Sequence, residues 1–163
     1  MKKKKTPSKK RMSIRLDNVV REYIKLRDQD CCRTCGIHKD STISGTLDWS
    51  HKISRNNLHL RWDERNGVAQ CRCCHNKWSM GMTIPLNNAI DSLWGVGTAE
   101  ALEMFAGRHP TIKGTQLDSV DYRLKLESLY KKKIKAIKEG FMSSIESMKT
   151  IWEENDLEQF KTL

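Results

Sequence analysis

Along residues 13–30, SIRLDNVVREYIKLRDQD, apolar side chains fall at Leu16, Val19, Val20, Tyr23, Ile24 and Leu26. This spacing is close to the helical period and predicts a helix from about Asp17 to Asp28. CCRTCG then reads as a tight turn, with Gly36 free to take positive φ. The period shortens to two in GTLDWSHKI, Gly45 to Ile53, where Leu47, Trp49, His51 and Ile53 alternate with polar positions as in a half-buried strand. SRNNLHLRWDERNG reads as a polar loop, VAQC as a short second strand, and the residues from Cys74 as a helix carrying His75 and Trp78. Pro85 suits the first position of a further helix, with Gly95 and Gly97 ending it and Thr98 capping the next, AEALEMFAG. RHPTIKGT is a loop. From Gln116 onward Leu117, Val120, Leu124, Tyr130, Ile134, Ile137, Phe141, Ile145, Met148 and Trp152 recur at three- to four-residue steps, with one gap at Glu127. They predict a long amphipathic helix or a pair broken near Gly140.

Charge changes this picture at one end. The chain has 163 residues and a formal net charge of +10. Residues 1–16 hold eight Lys or Arg and no acid, which leaves 22 basic and 20 acidic side chains over the rest. The first dozen residues are therefore expected to be a flexible basic arm. It is either a solvated tail or a salt-sensitive tether to nucleic-acid phosphates. No apolar run is long enough to span a bilayer, and the lysine-rich start lacks the apolar stretch of a signal peptide. A reducing, cytoplasmic setting is the expectation. Six cysteines there point to metal or catalysis rather than disulfides.

Two pairs have the same form, Cys32-x-x-Cys35-Gly and Cys71-x-x-Cys74. Each presents two thiolates on one side of a turn, and together they make the tetrahedral set that a structural Zn²⁺ requires. One knuckle in a turn and one at a helix start is a treble-clef arrangement. Cys31 and Cys73 are surplus, and they allow Cys31-x3-Cys35 and Cys71-x-Cys73 as alternative pairings. A redox Cys-x-x-Cys would need only one pair, beside a βαβ pattern that is not seen.

Zinc leaves the polar residues between the pairs unexplained. His51 on the first strand, Asn66 before the second and His75 after Cys74 resemble, in order and spacing, the HNH or ββα-metal endonuclease motif. That resemblance implies that His51 is the general base, that Asn66 holds the loop so that His51 faces water, and that His75 binds a catalytic Mg²⁺ or Mn²⁺ distinct from the zinc. Many such sites have an acid directly before the base histidine, where this chain has Ser50. Asp48, expected on the opposite face of the strand from His51, is the nearest acid upstream. It is either a further metal ligand or a solvated carboxylate. Lys52, Arg55, Arg61, Arg65, Arg72 and Lys77 surround the motif, and Arg55, Lys77, Lys52, Arg61 and Arg65 are candidates for phosphate contacts. His38, His59 and His109 read as surface residues. Lys131, Lys132, Lys133, Lys135 and Lys138 read as a solvated helix face.

The flanks add to the motif. YIKLRDQDCCRTCG, SHKISRNNLHLRWDERNGVAQCRCCHNKWSMG and the basic helix YKKKIKAIKEG are similar to the phage NinG/Rap family of recombination proteins, over roughly residues 20–138. The lysine arm and the segment after Gly140 look like additions to the family pattern. The expected fold is α+β, a small treble-clef ββα core on one zinc wrapped by helices. Its parts are a basic arm at 1–13, a zinc-stabilised core at 14–82 and a helical region at 83–163. The resemblance implies a metal-dependent DNA endonuclease acting on branched recombination intermediates such as D-loops and Holliday junctions. The alternatives are a non-catalytic zinc-dependent DNA-binding protein and an HNH nuclease of restriction or homing type. The expected partner is branched DNA, with a second copy of the chain and phage or host recombination proteins as further candidates and no membrane.

Overall fold

The structure is a computed structural model and describes residues 7–110 and 116–140. The order is α1 (Lys9–Arg27), β1 (Asp48–His51), β2 (Gly67–Gln70), α2 (Arg72–Ser79), α3 (Ile84–Trp94), α4 (Thr98–Arg108) and α5 (Val120–Lys138), with short 3-10 turns between them. Among the described residues the fold class is α+β, with five helices around one two-stranded sheet. Among the described residues no helix is long and apolar enough to cross a membrane.

Helix α1 starts eight residues before the expected Asp17. Ser8 caps it by accepting the Arg11 amide, and Met12 and Leu16 are fully buried. Lysine and arginine are good helix formers, so the basic run continues the helix from Lys9 instead of forming a free arm. Residues 1–6 lie outside the described part of the chain. Asp17 sits buried in mid-helix, where it accepts from Trp62 Nε1 at 2.8 Å and from Arg61.

The strands are shorter than the alternation predicts, four residues each, paired antiparallel with His51 opposite Gly67 and Asp48 opposite Gln70. At Gly67 a Cβ would lie 2.3 Å from the Ser50 carbonyl oxygen and 2.6 Å from Trp49 Nε1, so only glycine lets the strands close here. The outer edge of β2 is covered. Asp28 accepts the Ala69 amide at 2.7 Å, and the Arg33 amide donates to the Ala69 carbonyl at 2.9 Å.

Two apolar clusters lie on the two sides of the sheet. Leu16, Val20, Tyr23 and Ile24 of α1 pack with Trp49, Trp62, Ala69 and with Tyr122, Leu126 and Tyr130 of α5. Leu60 and Val68 pack with Leu86, Ile90, Leu93 and Leu102 of the α3–α4 pair. The helices after residue 83 thus divide between two clusters, and α5 completes the one built on α1.

Helix boundaries differ from expectation in three places. Helix α2 begins at Arg72, with Cys71 as its cap residue. Pro85 is the second residue of α3, after Ile84. Helix α4 is entered through Gly97 at φ 88°. The Thr98 hydroxyl donates to the Gly95 carbonyl instead of capping, and the Asp91 carboxylate of α3 takes the Ala99 amide at 2.9 Å. The gap at Glu127 is also explained. Its side chain is buried and pairs with Arg15 and Lys131, so this polar position faces inward. Phe141, Ile145, Met148 and Trp152 lie outside the described residues.

Candidate functional site

The two Cys-x-x-Cys turns meet. The sulfurs of Cys32, Cys35, Cys71 and Cys74 all lie within 4.8 Å of one another, and Cys35 Sγ is 3.8 Å from Cys71 Sγ. A tetrahedron with zinc–sulfur bonds of about 2.3 Å has edges of about 3.8 Å, so four soft thiolates at this spacing fit a metal ion such as zinc. The first knuckle is closed by Gly36 N donating to Cys32 O and Cys32 N donating to Ile37 O, both at 2.8 Å. Gly36 takes φ 77° there. Burial pushes the Cys32 thiol up, but the backbone amides of Cys71, Cys35 and Thr34 outweigh it and leave the thiol below its ordinary value. Burial and the neighbouring sulfurs raise Cys74. Cys31 and Cys73 stand outside the cluster, so the sulfurs that converge are those of the two x2-spaced pairs. Among the described residues, this is the single group of three or more metal-ligating side chains whose ligand atoms converge.

His51 ends β1 half-buried, its ring 3.9 Å from that of Trp49. Its Nε2 lies 3.1 Å from the Arg61 carbonyl. A carbonyl only accepts, so Nε2 carries the proton and Nδ1 keeps the lone pair. Burial lowers the pKa to about 4; the Arg61 carbonyl opposes the shift and the Arg55 charge adds to it. The ring is therefore neutral near pH 7.

Asn66 is fully buried and clamps the loop between the strands. Its Oδ1 accepts the Ile53 amide at 2.7 Å, and its Nδ2 donates to the carbonyls of Ile53 at 3.0 Å and Leu60 at 2.8 Å. The turn that carries it, Glu64–Asn66, is gripped from both core helices. Arg27 of α1 donates to the carbonyls of Glu64 at 2.6 Å and Gly67 at 3.0 Å, and is itself paired with buried Asp28. The Glu64 carboxylate accepts from Tyr23 and from Lys133 Nζ of α5, the latter at 2.8 Å. Burial, reinforced by the Glu64 charge, raises Tyr23 and keeps it a donor. Lys133 is fully buried, contrary to the expectation of a solvated lysine face on this helix. No local pattern marks these partners, which lie 37 to 69 residues apart in the chain.

His75 sits on α2 with Nδ1 3.1 Å from Asp48 Oδ2. Arg72 Nε is also 3.1 Å from that oxygen. Asp48 is therefore neither free nor alone with His75. The pair is separate from His51, whose ring is held by Arg61 and Trp49. Opposite Asp48, Gln70 Nε2 donates to Thr34 Oγ1 at 2.6 Å and ties the strand to the first knuckle.

Of the five basic residues expected at phosphates, three have internal partners. Arg61 forks onto Asp17 at 3.1 and 2.7 Å, Arg65 pairs with Asp63 at 2.7 Å, and buried Lys52 meets Glu103 and the Trp78 ring. Arg55 and Lys77 are exposed. His38 and His109 are exposed and His59 is half-buried, against Phe105 and His109.

Residues 1–140 match the family model described as Bacteriophage Lambda NinG protein. The match stops at Gly140 but takes in the lysine-rich N-terminus, against the expectation that this arm is an addition to the family pattern. No curated protein and no solved structure matches the chain.

Proposed function

The chain belongs to the NinG family, and on that premise we propose that it is a metal-dependent DNA endonuclease of phage recombination, acting on branched DNA in the host cytoplasm. The core is read as a treble-clef ββα unit on a structural zinc held by Cys32, Cys35, Cys71 and Cys74. The observation that carries the reading is the state of His51. Its imidazole is neutral, its Nε2–H is tied to the Arg61 carbonyl, and its Nδ1 is left with a lone pair. This is the form a general base needs to take a proton from water attacking a phosphodiester. Asn66 keeps the loop that offers the Arg61 carbonyl in place. Asp48 and His75 supply one carboxylate and one imidazole, a set that suits Mg²⁺ or Mn²⁺ keeping most of its waters. A divalent ion bound there would stabilise the charge on the departing 3′-oxygen. Arg55 and Lys77 are the side chains left to meet phosphates.

One observation favours a second reading, a non-catalytic zinc-dependent DNA-binding protein. Arg72 shares the Asp48 carboxylate and places a cation where the metal would sit. Cleavage of four-way, forked and linear DNA with Mg²⁺ or Mn²⁺ added decides between the two. The nuclease reading expects metal-dependent cutting that His51→Ala lowers by roughly 10²–10⁴, with folding and DNA affinity kept. A His51→Ala protein that cuts like the wild type overturns it, and a wild type that binds without cutting supports the second reading.

A further inference from the structure

The loop between the strands has two sides. The inner side offers the Arg61 carbonyl to His51. The outer side carries His59, which meets the end of α4. Phe105 and His109 are stacked there, with ring centroids 4.2 Å apart and planes 30° from parallel. His59 stands 5.7 Å from the His109 ring and 6.0 Å, edge-on, from Phe105. The arrangement is built by contacts distant in sequence. Asn57 Nδ2 donates to the His109 carbonyl at 3.2 Å. The same side chain's Oδ1 accepts the amides of His59 at 3.0 Å and Leu60 at 3.3 Å, which sets the His59 backbone. Phe105 is anchored against the aliphatic cluster beneath, while His109 is exposed.

Two exposed arginines belong to the segments that carry the trio, Arg55 on the loop and Arg108 beside His109. The nearby Glu103 is paired with Lys52. Burial, with His109 adding, lowers the pKa of His59 and favours its neutral ring. Flat π faces flanked by cations are what a single-stranded nucleotide requires, with the base on the rings and the phosphate on the arginines. A closed duplex hides its base faces and cannot use such a surface.

We propose that His59, Phe105 and His109 form a stacking platform for one unpaired nucleobase of branched DNA, on the outer side of the loop that holds His51. This rests on the DNA-binding part of the reading above and names the feature of a branch that is recognised.

The test uses the full chain without added Mg²⁺ or Mn²⁺. The probes are a forked oligonucleotide with 2-aminopurine at the first unpaired position and a fully paired duplex of equal length. Wild-type protein should quench the 2-aminopurine as the base stacks. His109→Ala and His59→Ala should abolish the quench and weaken fork binding by on the order of tenfold. Duplex affinity and its salt slope should stay as in wild type, and His109→Phe should restore quenching. Equal weakening on fork and duplex, or a quench that survives both alanine variants, overturns the platform. No cleavage enters this readout. A protein that stacks forks but never cuts them would fail the nuclease reading and still carry the platform, whereas one that binds neither probe would lose both.

Discussion

Around α1 and α5 the interior holds charge. Arg27, Asp28, Glu64 and Lys133 are all buried and mutually satisfied, with Tyr23 donating to Glu64 and Tyr130 to the Trp62 carbonyl. Beside them lies the four-cysteine cluster. Under α3 and α4 the cluster is aliphatic, with Leu60, Val68, Leu86, Ile90, Leu93 and Leu102 each packed by shape alone. The difference follows from what each side supports. The α1–α5 side must hold a turn, a glycine-tight strand pair and two knuckles at set positions, and directional bonds do that where apolar packing leaves freedom. The α3–α4 side covers the other face of the sheet, and aliphatic packing is sufficient.

The largest effect should come from the metal site. Cys35→Ser or Cys74→Ser should unfold the knuckles and the sheet, since structural zinc contributes about 10 kcal/mol in small domains. Elemental analysis should find one zinc per chain, and circular dichroism should lose the fold on chelation. A metal-free protein with an unchanged melting curve would erase the contrast between the two sides.

Next is the buried ion pair. Lys133→Met leaves Glu64 charged in the interior and should cost roughly 3–5 kcal/mol in urea titration. Adding Glu64→Gln removes the stranded charge and should recover part of that loss. A loss near zero for Lys133→Met alone would mean that the charged side is not what holds the Asn66 turn.

On the aliphatic side, Asp91→Ala removes the acceptor for the Ala99 amide in the first turn of α4 and should cost about 0.5–2 kcal/mol. The urea slope should not change, because little extra surface is exposed. A larger loss would show that α4 depends on directional bonds as much as the charged side does.

The last effect is a pH slope, not a mutational cost at fixed pH. His51 titrates at about 4 in the folded chain, against 6.5 as its ordinary value. The unfolded chain therefore takes up this proton first, and stability should fall as pH drops from about 6.5 to about 4 and be unaffected by His51 above that window. Denaturation curves across this range should lose that share of the slope in His51→Asn. An identical slope would place His51 in water, not against Arg61 and Trp49.

The candidate site was legible where chemistry is written locally. The Cys-x-x-Cys spacing picked out the four cysteines whose sulfurs converge, and the alternation around Trp49 and His51 marked a strand. Asn66 before Gly67 marked the turn between strands. Legibility ended where a side chain's partner lies far along the chain. Nothing near Asp48 announces Arg72 as well as His75, and nothing near Lys52, Arg61 or Arg65 says that Glu103, Asp17 and Asp63 take their charges. Lysines 131, 132, 133, 135 and 138 look alike in sequence, yet Lys133 alone of these is buried against Glu64, because α5 packs that position inward.

By itself the sequence determined the α+β class, the thiol quartet and the order of strand, turn and helix on which His51, Asn66 and His75 follow one another. Those properties follow from backbone periodicity and from ligand spacings of two residues, which hold in any surrounding. Tertiary structure alone decided which cations are internal, which tautomer His51 adopts and which rings stack at the end of α4. Each of these is a pairwise contact between elements, and its energy exists only after the helices have packed.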